Sequence, residues 1–253
     1  MPNFPSSHVS LVTGSSTGIG AAAALDLARE GSRVAVHYNT SADAAREVAG
    51  KIEAAGGTAW LYQGDLSTAE SARKLVADVL AGSGRIDCLV NNAGSLLERK
   101  YLLEITDDLW QRVMDVNLNS AFWVTKATAA HMVERGSGTI INISSIAARN
   151  GGGPGSIPYA TAKAAMTCMS KGMAKELIGQ GVRVNAVHPG VILTPFHERF
   201  TPKDRMDAMV STIPQGRAGE SPEIAGMITF LASDKASHIV GEAIEINGGM
   251  LMD

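Results

Sequence analysis

Short apolar runs alternate along the chain with longer stretches of helical period. HVSLVT (8–13), RVAVHY (33–38), TAWLYQGDL (58–66), IDCLVNNAG (86–94), GTIINISS (138–145), VRVNAVHPG (182–190) and GEAIEINGG (241–249) each read as a strand. Several are nearly unbroken in Val, Ile, Leu and Ala, as expected of strands covered by helices on both faces. Helical period predicts helices over 19–30, 42–55, 67–81, 107–135 (one long helix), 159–180 and from 221 onward. The punctuation agrees. Gly31 stands where a helix end wants positive φ, and Gly56-Gly57 closes the second helix. Ser67 with Glu70 reads as a capping box. Ser221-Pro222-Glu223 supplies an N-cap hydroxyl, a proline at the first helical position and a first-turn acid. The alternation, with no repeat or linker, predicts one α/β domain over 1–253: a doubly wound parallel sheet of about seven strands with helices on both faces.

Composition narrows the class. With 253 residues, 45% apolar and 19% charged, the chain can bury one large core. Net charge is −3 and the Lys and Arg are scattered, so neither a nucleic-acid groove nor a membrane surface is expected. No run of about 18 apolar residues is present to span a bilayer. The opening MPNFPSSHVS has no basic residue and no long apolar run, so it does not read as a secretory leader. Cys88 and Cys168 lack a CxxC partner or a ligand histidine; buried free thiols, no metal and a cytoplasmic setting are expected.

Two motifs carry chemistry. The first strand runs straight into TGSSTGIG (13–20) and then a helix, the context in which a Gly-rich turn cradles phosphate. Gly14 suits the sharp turn, Gly18 admits a pyrophosphate close to the backbone, and Gly20 allows tight helix–strand packing. The second motif is PYATAK (158–163). Tyr159 and Lys163, four apart on a helix, approach the same small volume. A cation near a phenol favours the phenolate, which suits a proton donor working near neutral pH.

TGSSTGIG, NNAG (91–94), the mid-helix Asn117, the serines of NISS (142–145), YATAK, and HPG followed by Thr194 occur in one order over nearly the whole chain. The chain therefore resembles the short-chain dehydrogenase/reductase family, with closing segments similar to its β-ketoacyl-[acyl-carrier-protein] reductase and sugar dehydrogenase branch. The resemblance implies a Rossmann-type fold and metal-free hydride transfer between a nicotinamide cofactor and a carbonyl or secondary alcohol. It makes Tyr159 the general acid or base and Lys163 the holder of the nicotinamide ribose. Ser145, or its neighbour Ser144, would hydrogen-bond the substrate oxygen, with Ser145 favoured. Asn117 would anchor a water chain; a structural amide satisfied by backbone is the plainer reading. Around the cofactor it implies Gly14, Ser16, Gly18, Ile19 and Gly20 at the phosphates. Asp65 and Leu66 would meet the adenine, and Asn91, Ala93 and Gly94 its ribose side. Pro189, Gly190, Ile192 and Thr194 would lie along the nicotinamide. Asp65 could equally serve as a cap ahead of the next helix, and His188 reads as structural.

The end of the second strand speaks to cofactor choice. Tyr38 is followed by Asn39, Thr40 and Ser41, with no carboxylate until Asp43. Without an acid to repel a 2′-phosphate, NADP(H) is favoured over NAD(H). No Arg or Lys occupies Thr17 or the strand end, where NADP-binding relatives often place one. The segment 194–214 falls where the family keeps a substrate lid, although a plain pair of surface helices reads equally well from sequence. Arg135 and Lys175 lie near positions used to dock acyl-carrier protein. Substrates weighed are a 3-oxoacyl thioester and, alternatively, a sugar, polyol or small ketone. A nucleotide-sensing protein without turnover is more distant, and enoyl reduction fits the Tyr–Lys spacing poorly. A homotetramer is implied by analogy.

Overall fold

The structure, a computed structural model, describes residues 3–252. Its seven-stranded sheet is wholly parallel, in the order β3-β2-β1-β4-β5-β6-β9. These strands are β1 (Val9–Val12), β2 (Arg33–Tyr38), β3 (Ala59–Gln63), β4 (Cys88–Asn91), β5 (Gly138–Ile143), β6 (Val182–Pro189) and β9 (Ala243–Ile246). The numbering reverses direction between β1 and β4, so the loops leaving those two strands open a crevice at their carboxyl ends. The Gly-rich turn and NNAG are those two loops.

Side-chain alternation divides the core in two. Val12, Val36, Val90, Ile141 and Val187 meet α1 (Gly18–Arg29), α2 (Ala42–Ala54) and α10 (Ser221–Ala232). Leu11, Ala35, Leu89, Ile140 and Val184 meet α3 (Ala69–Ser83), α5 (Ser120–Arg135) and α7 (Ile157–Leu177). Small residues on α1 (Ala23 and Ala24, both buried) let that helix lie close on the sheet.

Several boundaries differ from expectation. The predicted helix over 107–135 is interrupted: α4 (Asp107–Met114) passes through a π-helical turn, Asp115–Asn119, before α5. Within it the Asn117 side-chain amide donates to the Val113 carbonyl, competing with the backbone for that acceptor. The third helix is capped by Thr68, whose hydroxyl accepts from the Ser71 amide; Ser67 instead donates its amide to Asp65. At α10 the N-cap is Glu220, in a reciprocal box with Glu223, and Ser221 lies one position inside. Three short helices, α6 (Ala147–Asn150), α8 (Pro195–Phe200) and α9 (Lys203–Ser211), and a small parallel pair, β7 (Ile192–Leu193) with β8 (Gly219–Glu220), complete the crevice side. Cys88 is buried as expected, whereas Cys168 is exposed, because its position on α7 faces away from the sheet. No helix among the described residues is long and apolar enough to cross a membrane.

Candidate active site

The crevice holds a cavity of about 590 Å³ that runs from the Gly-rich turn to Tyr159 and Lys163. At one end Gly14 and Gly18 both take positive φ, 62° and 56°. A side chain at Gly14 would place Cβ 2.9 Å from the Ala93 Cα, and one at Gly20 would sit 2.4 Å from both the Gly14 oxygen and Asn92 Nδ2. The turn is therefore locked to the NNAG loop with no room for a methyl group. Thr17 caps α1 in extended conformation without a side-chain bond, so the helix offers uncapped N–H groups toward the cavity.

Two side chains brace this turn. Asn92 Nδ2 donates to the carbonyls of Thr13 and Gly14, each at 3.0 Å, while Thr13 Oγ1 accepts from the amides of Asn92 and Ala93. His37, 2% exposed at the end of β2, accepts the Gly14 amide on Nδ1 and contacts the Gly64 carbonyl through Nε2, both at 3.0 Å. That pattern requires a neutral ring with its proton on Nε2, and burial pushes the His37 pKa down to about 4. Neither residue stood out in the sequence. His37 looked like one more position of a strand, and Asn92 like the neighbour of Asn91.

At the other end, β5 and α7 assemble the polar cluster. The Ser145 hydroxyl lies near the Tyr159 phenol and accepts the Ala147 amide at 3.1 Å. Ser144 is turned away, its hydroxyl donating to the Lys163 carbonyl at 2.8 Å. Lys163 is 3% exposed; Nζ donates to the Ile143 carbonyl at 2.7 Å and lies 5.7 Å from the centre of the Tyr159 ring. The expected lowering of the phenol pKa is not found. Burial pushes Tyr159 up to about 12, with the nearby Ser145 hydroxyl opposing it, and pulls Lys163 down to about 8. The ammonium is spent on a carbonyl rather than on the phenol oxygen. Tyr159 thus stays protonated through the neutral range, and Lys163 stays mostly charged at pH 7.

The remaining positions divide. Ser16, Ile19, Asn39, Thr40, Ser41, Ala93, Gly94, Pro189, Gly190, Ile192 and Thr194 line the cavity. Gly20, Asp65, Leu66, Asn91 and Asn117 do not. Gly20 packs behind the turn. Asp65 is exposed and caps the Ser67 amide, and the Leu66 side chain enters the core. Asn91 Nδ2 donates to Thr125 and Asn142, leaving a buried Oδ1 with no partner among the described residues. Asn117 is fully buried, exchanging bonds with both the amide and the carbonyl of Ser95 at 3.1 and 2.7 Å. Its side chain therefore pins the NNAG loop to the π turn, and Gly94 passes beside it because a Cβ there would come within 2.7 Å of the Asn117 oxygen. His188 is buried between Thr167 and Glu245, outside the cavity. Arg135 is bound to Asp87 and the Ile86 carbonyl, and Lys175 is exposed.

These residues fit a dinucleotide. The turn has the backbone clearance and free N–H donors that a pyrophosphate needs, and no carboxylate lines the cavity among the described residues. No cluster of three or more His, Cys, Asp or Glu suited to a metal occurs among the described residues.

A family model described as enoyl-(acyl carrier protein) reductase matches residues 14–251. A 3-oxoacyl-[acyl-carrier-protein] reductase of Synechocystis is 42% identical over 246 residues, covering 97% of each chain, and one of Thermotoga maritima is 38% identical, covering 96% of this chain and 98% of its own. Among solved structures, a protein described as an NAD(P)-dependent gluconate 5-dehydrogenase from Beutenbergia cavernae, with NADP bound at low occupancy, superposes with a TM-score of 0.92 at 34% identity, covering 99% of both chains. One described as a gluconate dehydrogenase from Agrobacterium tumefaciens gives 0.92 at 30% identity, covering 97% of this chain and 96% of its own. Matched over nearly its whole length by the family model and by these relatives, the chain is an oxidoreductase belonging to the short-chain dehydrogenase/reductase family.

Proposed function

We propose that the protein interconverts a carbonyl and a secondary alcohol with NADP(H), Tyr159 handling the proton at the substrate oxygen. The observation that carries this reading is the Tyr159 phenol, gathered with Ser145 and buried Lys163 at the far end of the cavity that begins at the glycine turn. Gly14, Ser16, Gly18 and Ile19 would hold the phosphates, and Asn39, Thr40 and Ser41 the 2′-phosphate, which meets hydroxyl and amide donors and no acid. Ile192 and Thr194 would lie along the nicotinamide, which supplies the hydride when bound.

In reduction Ser145 donates to the carbonyl oxygen and holds it near Tyr159. Tyr159 passes its proton to that oxygen as negative charge develops. A phenol with a pKa near 12 is protonated at neutral pH and ready to donate. Lys163 keeps a positive charge beside the phenolate that forms, and holds the cofactor ribose. Asn117 fixes the loop behind them. Helices α8 and α9, with Phe196 5.5 Å from the Tyr159 ring, act as the lid that excludes water.

Two substrate classes follow from the relatives: a 3-oxoacyl thioester, and a polyhydroxy acid such as gluconate. A homotetramer is supported by apolar side chains exposed on the helices that would pair, including Trp110 and Phe122 at 38% and 42%. A cytoplasmic setting suits the free thiol of Cys88.

The test is NADPH oxidation, with NADH in parallel, on acetoacetyl thioester, small ketones and gluconate-type acids, for wild type and Tyr159→Phe. The variant should bind NADPH like wild type and lose turnover by about 10²- to 10⁴-fold. A wild type inert on every carbonyl would refute the reading.

A further inference from the structure

Two guanidinium groups that line the cavity converge on one backbone oxygen. Arg99 Nη1 and Arg205 Nη1 both donate to the Pro154 carbonyl, at 3.1 and 3.4 Å, and Arg99 Nε donates to the Phe200 carbonyl at 2.7 Å. Both arginines are half-buried and line the cavity. Their anchors place them on the substrate side. Pro154 belongs to the loop leading into α7 and Tyr159, and Phe200 ends the helix whose Phe196 packs on the Tyr159 ring. The glycine turn, by contrast, is bounded by Ala93, Asn92 and Thr194.

Neither guanidinium has a carboxylate within ion-pair distance among the described residues. Other arginines of the chain find one: Arg85 and Arg135 share Asp87, and Arg217 pairs with Glu223. The acids nearest in sequence, Glu98 and Asp204, are exposed and pair with neither, and Asp207 is taken by Lys203. The charged residues of the cavity lining are thus Arg99, Arg205 and Lys163, all cationic. Burial and the neighbouring Arg205 charge both pull the Arg99 pKa below its usual value. Two like charges gathered at a half-buried site raise the free energy of the empty protein, and an anion placed there lowers it. Of five N–H donors each, Arg99 uses two on backbone oxygens and Arg205 one, which leaves a fork free for an oxyanion.

We propose that Arg99 and Arg205 form a recognition site for an anionic group, a carboxylate or phosphate monoester, carried by the carbonyl substrate itself. This rests on the reading that the Tyr159 side of the cavity takes the carbonyl. It narrows the substrate class to small oxo acids or phosphate-bearing thioesters and makes neutral sugars and plain ketones poor substrates. The competing role for Arg99 is that of a strut joining the 151–155 loop to α8, so Arg205, with a single weak backbone bond, is the cleaner probe.

The experiment compares kcat/KM with NADPH for pairs of one anionic and one neutral substrate, each carrying the same reacting carbonyl: 5-oxohexanoate against its methyl ester, and acetoacetyl-CoA against the truncated acetoacetyl-N-acetylcysteamine. Wild type, Arg205→Gln, Arg205→Lys and Arg99→Gln are measured. Wild type should prefer the anionic member of at least one pair by about 10- to 100-fold, mostly through KM. That preference should fall at least tenfold in Arg205→Gln and partly return in Arg205→Lys. A preference confined to 5-oxohexanoate assigns the carboxylate, and one confined to acetoacetyl-CoA the phosphate. No charge preference in wild type, or equal losses on charged and neutral members, overturns the proposal. Should wild type reduce none of the four, thermal melts with NADPH present decide separately. Stabilisation by 5-oxohexanoate or CoA in wild type and not in Arg205→Gln upholds the anion site while the carbonyl reading fails; its absence overturns both.

Discussion

Acidification should unlatch the cofactor turn through His37. The ring is 2% exposed and must be neutral to accept the Gly14 N–H; a second ring proton would point at that donor. Its pKa is about 4 in the fold against 6.5 ordinarily, and a shift of that size is worth about 3.4 kcal/mol at about 1.36 kcal/mol per unit. The folded value lies below the unfolded one, so the unfolded chain takes the proton first as pH falls. The contribution is complete above about pH 6.5, declines from there toward pH 4 and is gone below it. Between pH 7 and pH 5 the loss from this one group is about 2 kcal/mol. Urea unfolding of wild type and His37→Gln at both pH values, at fixed protein concentration, measures it. His8 carries a similar depression through burial, so wild type should drop by more than the His37 share. The quantity to read is the difference between the proteins: His37→Gln should lose about 2 kcal/mol less on acidification. Equal drops in both proteins would refute the reasoning.

Other perturbations test the packing of the site. Gly20→Ala sets a Cβ 2.4 Å from the Gly14 oxygen and Asn92 Nδ2; NADPH affinity by fluorescence titration should fall at least about tenfold and stability by about 1–3 kcal/mol, and wild-type affinity would show that the turn yields. Asn117→Ala strands the Ser95 amide and carbonyl, which should cost about 2–4 kcal/mol in urea melts; a cost below about 0.5 kcal/mol would mean that other groups take over. Cys88 is buried and its thiol is pushed up to about 12; iodoacetamide at pH 8 should leave it unmodified until denaturant is added, and labelling in the folded state, read by mass spectrometry, would contradict its burial.

The sheet was legible because both-face burial writes itself as apolar runs, and the glycine turn because its context permits little else. The interruption at Asp115–Asn119 was not, since a helical period continues through a π turn with only a one-residue slip, and Asn117 bonds a loop over 20 residues away in sequence. Cap positions slipped by one: Thr68 offers a second hydroxyl next to Ser67, and the reciprocal bonds of Glu220 with Glu223 set the cap one residue ahead of Ser221. PYATAK correctly marked neighbours, but spacing alone could not show that the Lys163 ammonium turns to the Ile143 carbonyl. Arg99 and Arg205 were invisible as a pair, because their convergence depends on a loop fold with no periodic signature.

The brace between Thr13 and Asn92 spans 79 residues of chain. β1 cannot hold its turn in shape until β4 has been made and threaded beside it, after two complete strand–helix units have been laid down on the other side. Closing so long a loop is slow, and the entropy lost in doing so is recovered only when the sheet is joined. Nucleotide affinity should therefore arise as a late event in refolding, in step with burial of the central strands rather than with early helix formation. From that moment dissolved cofactor favours the assembled state by mass action.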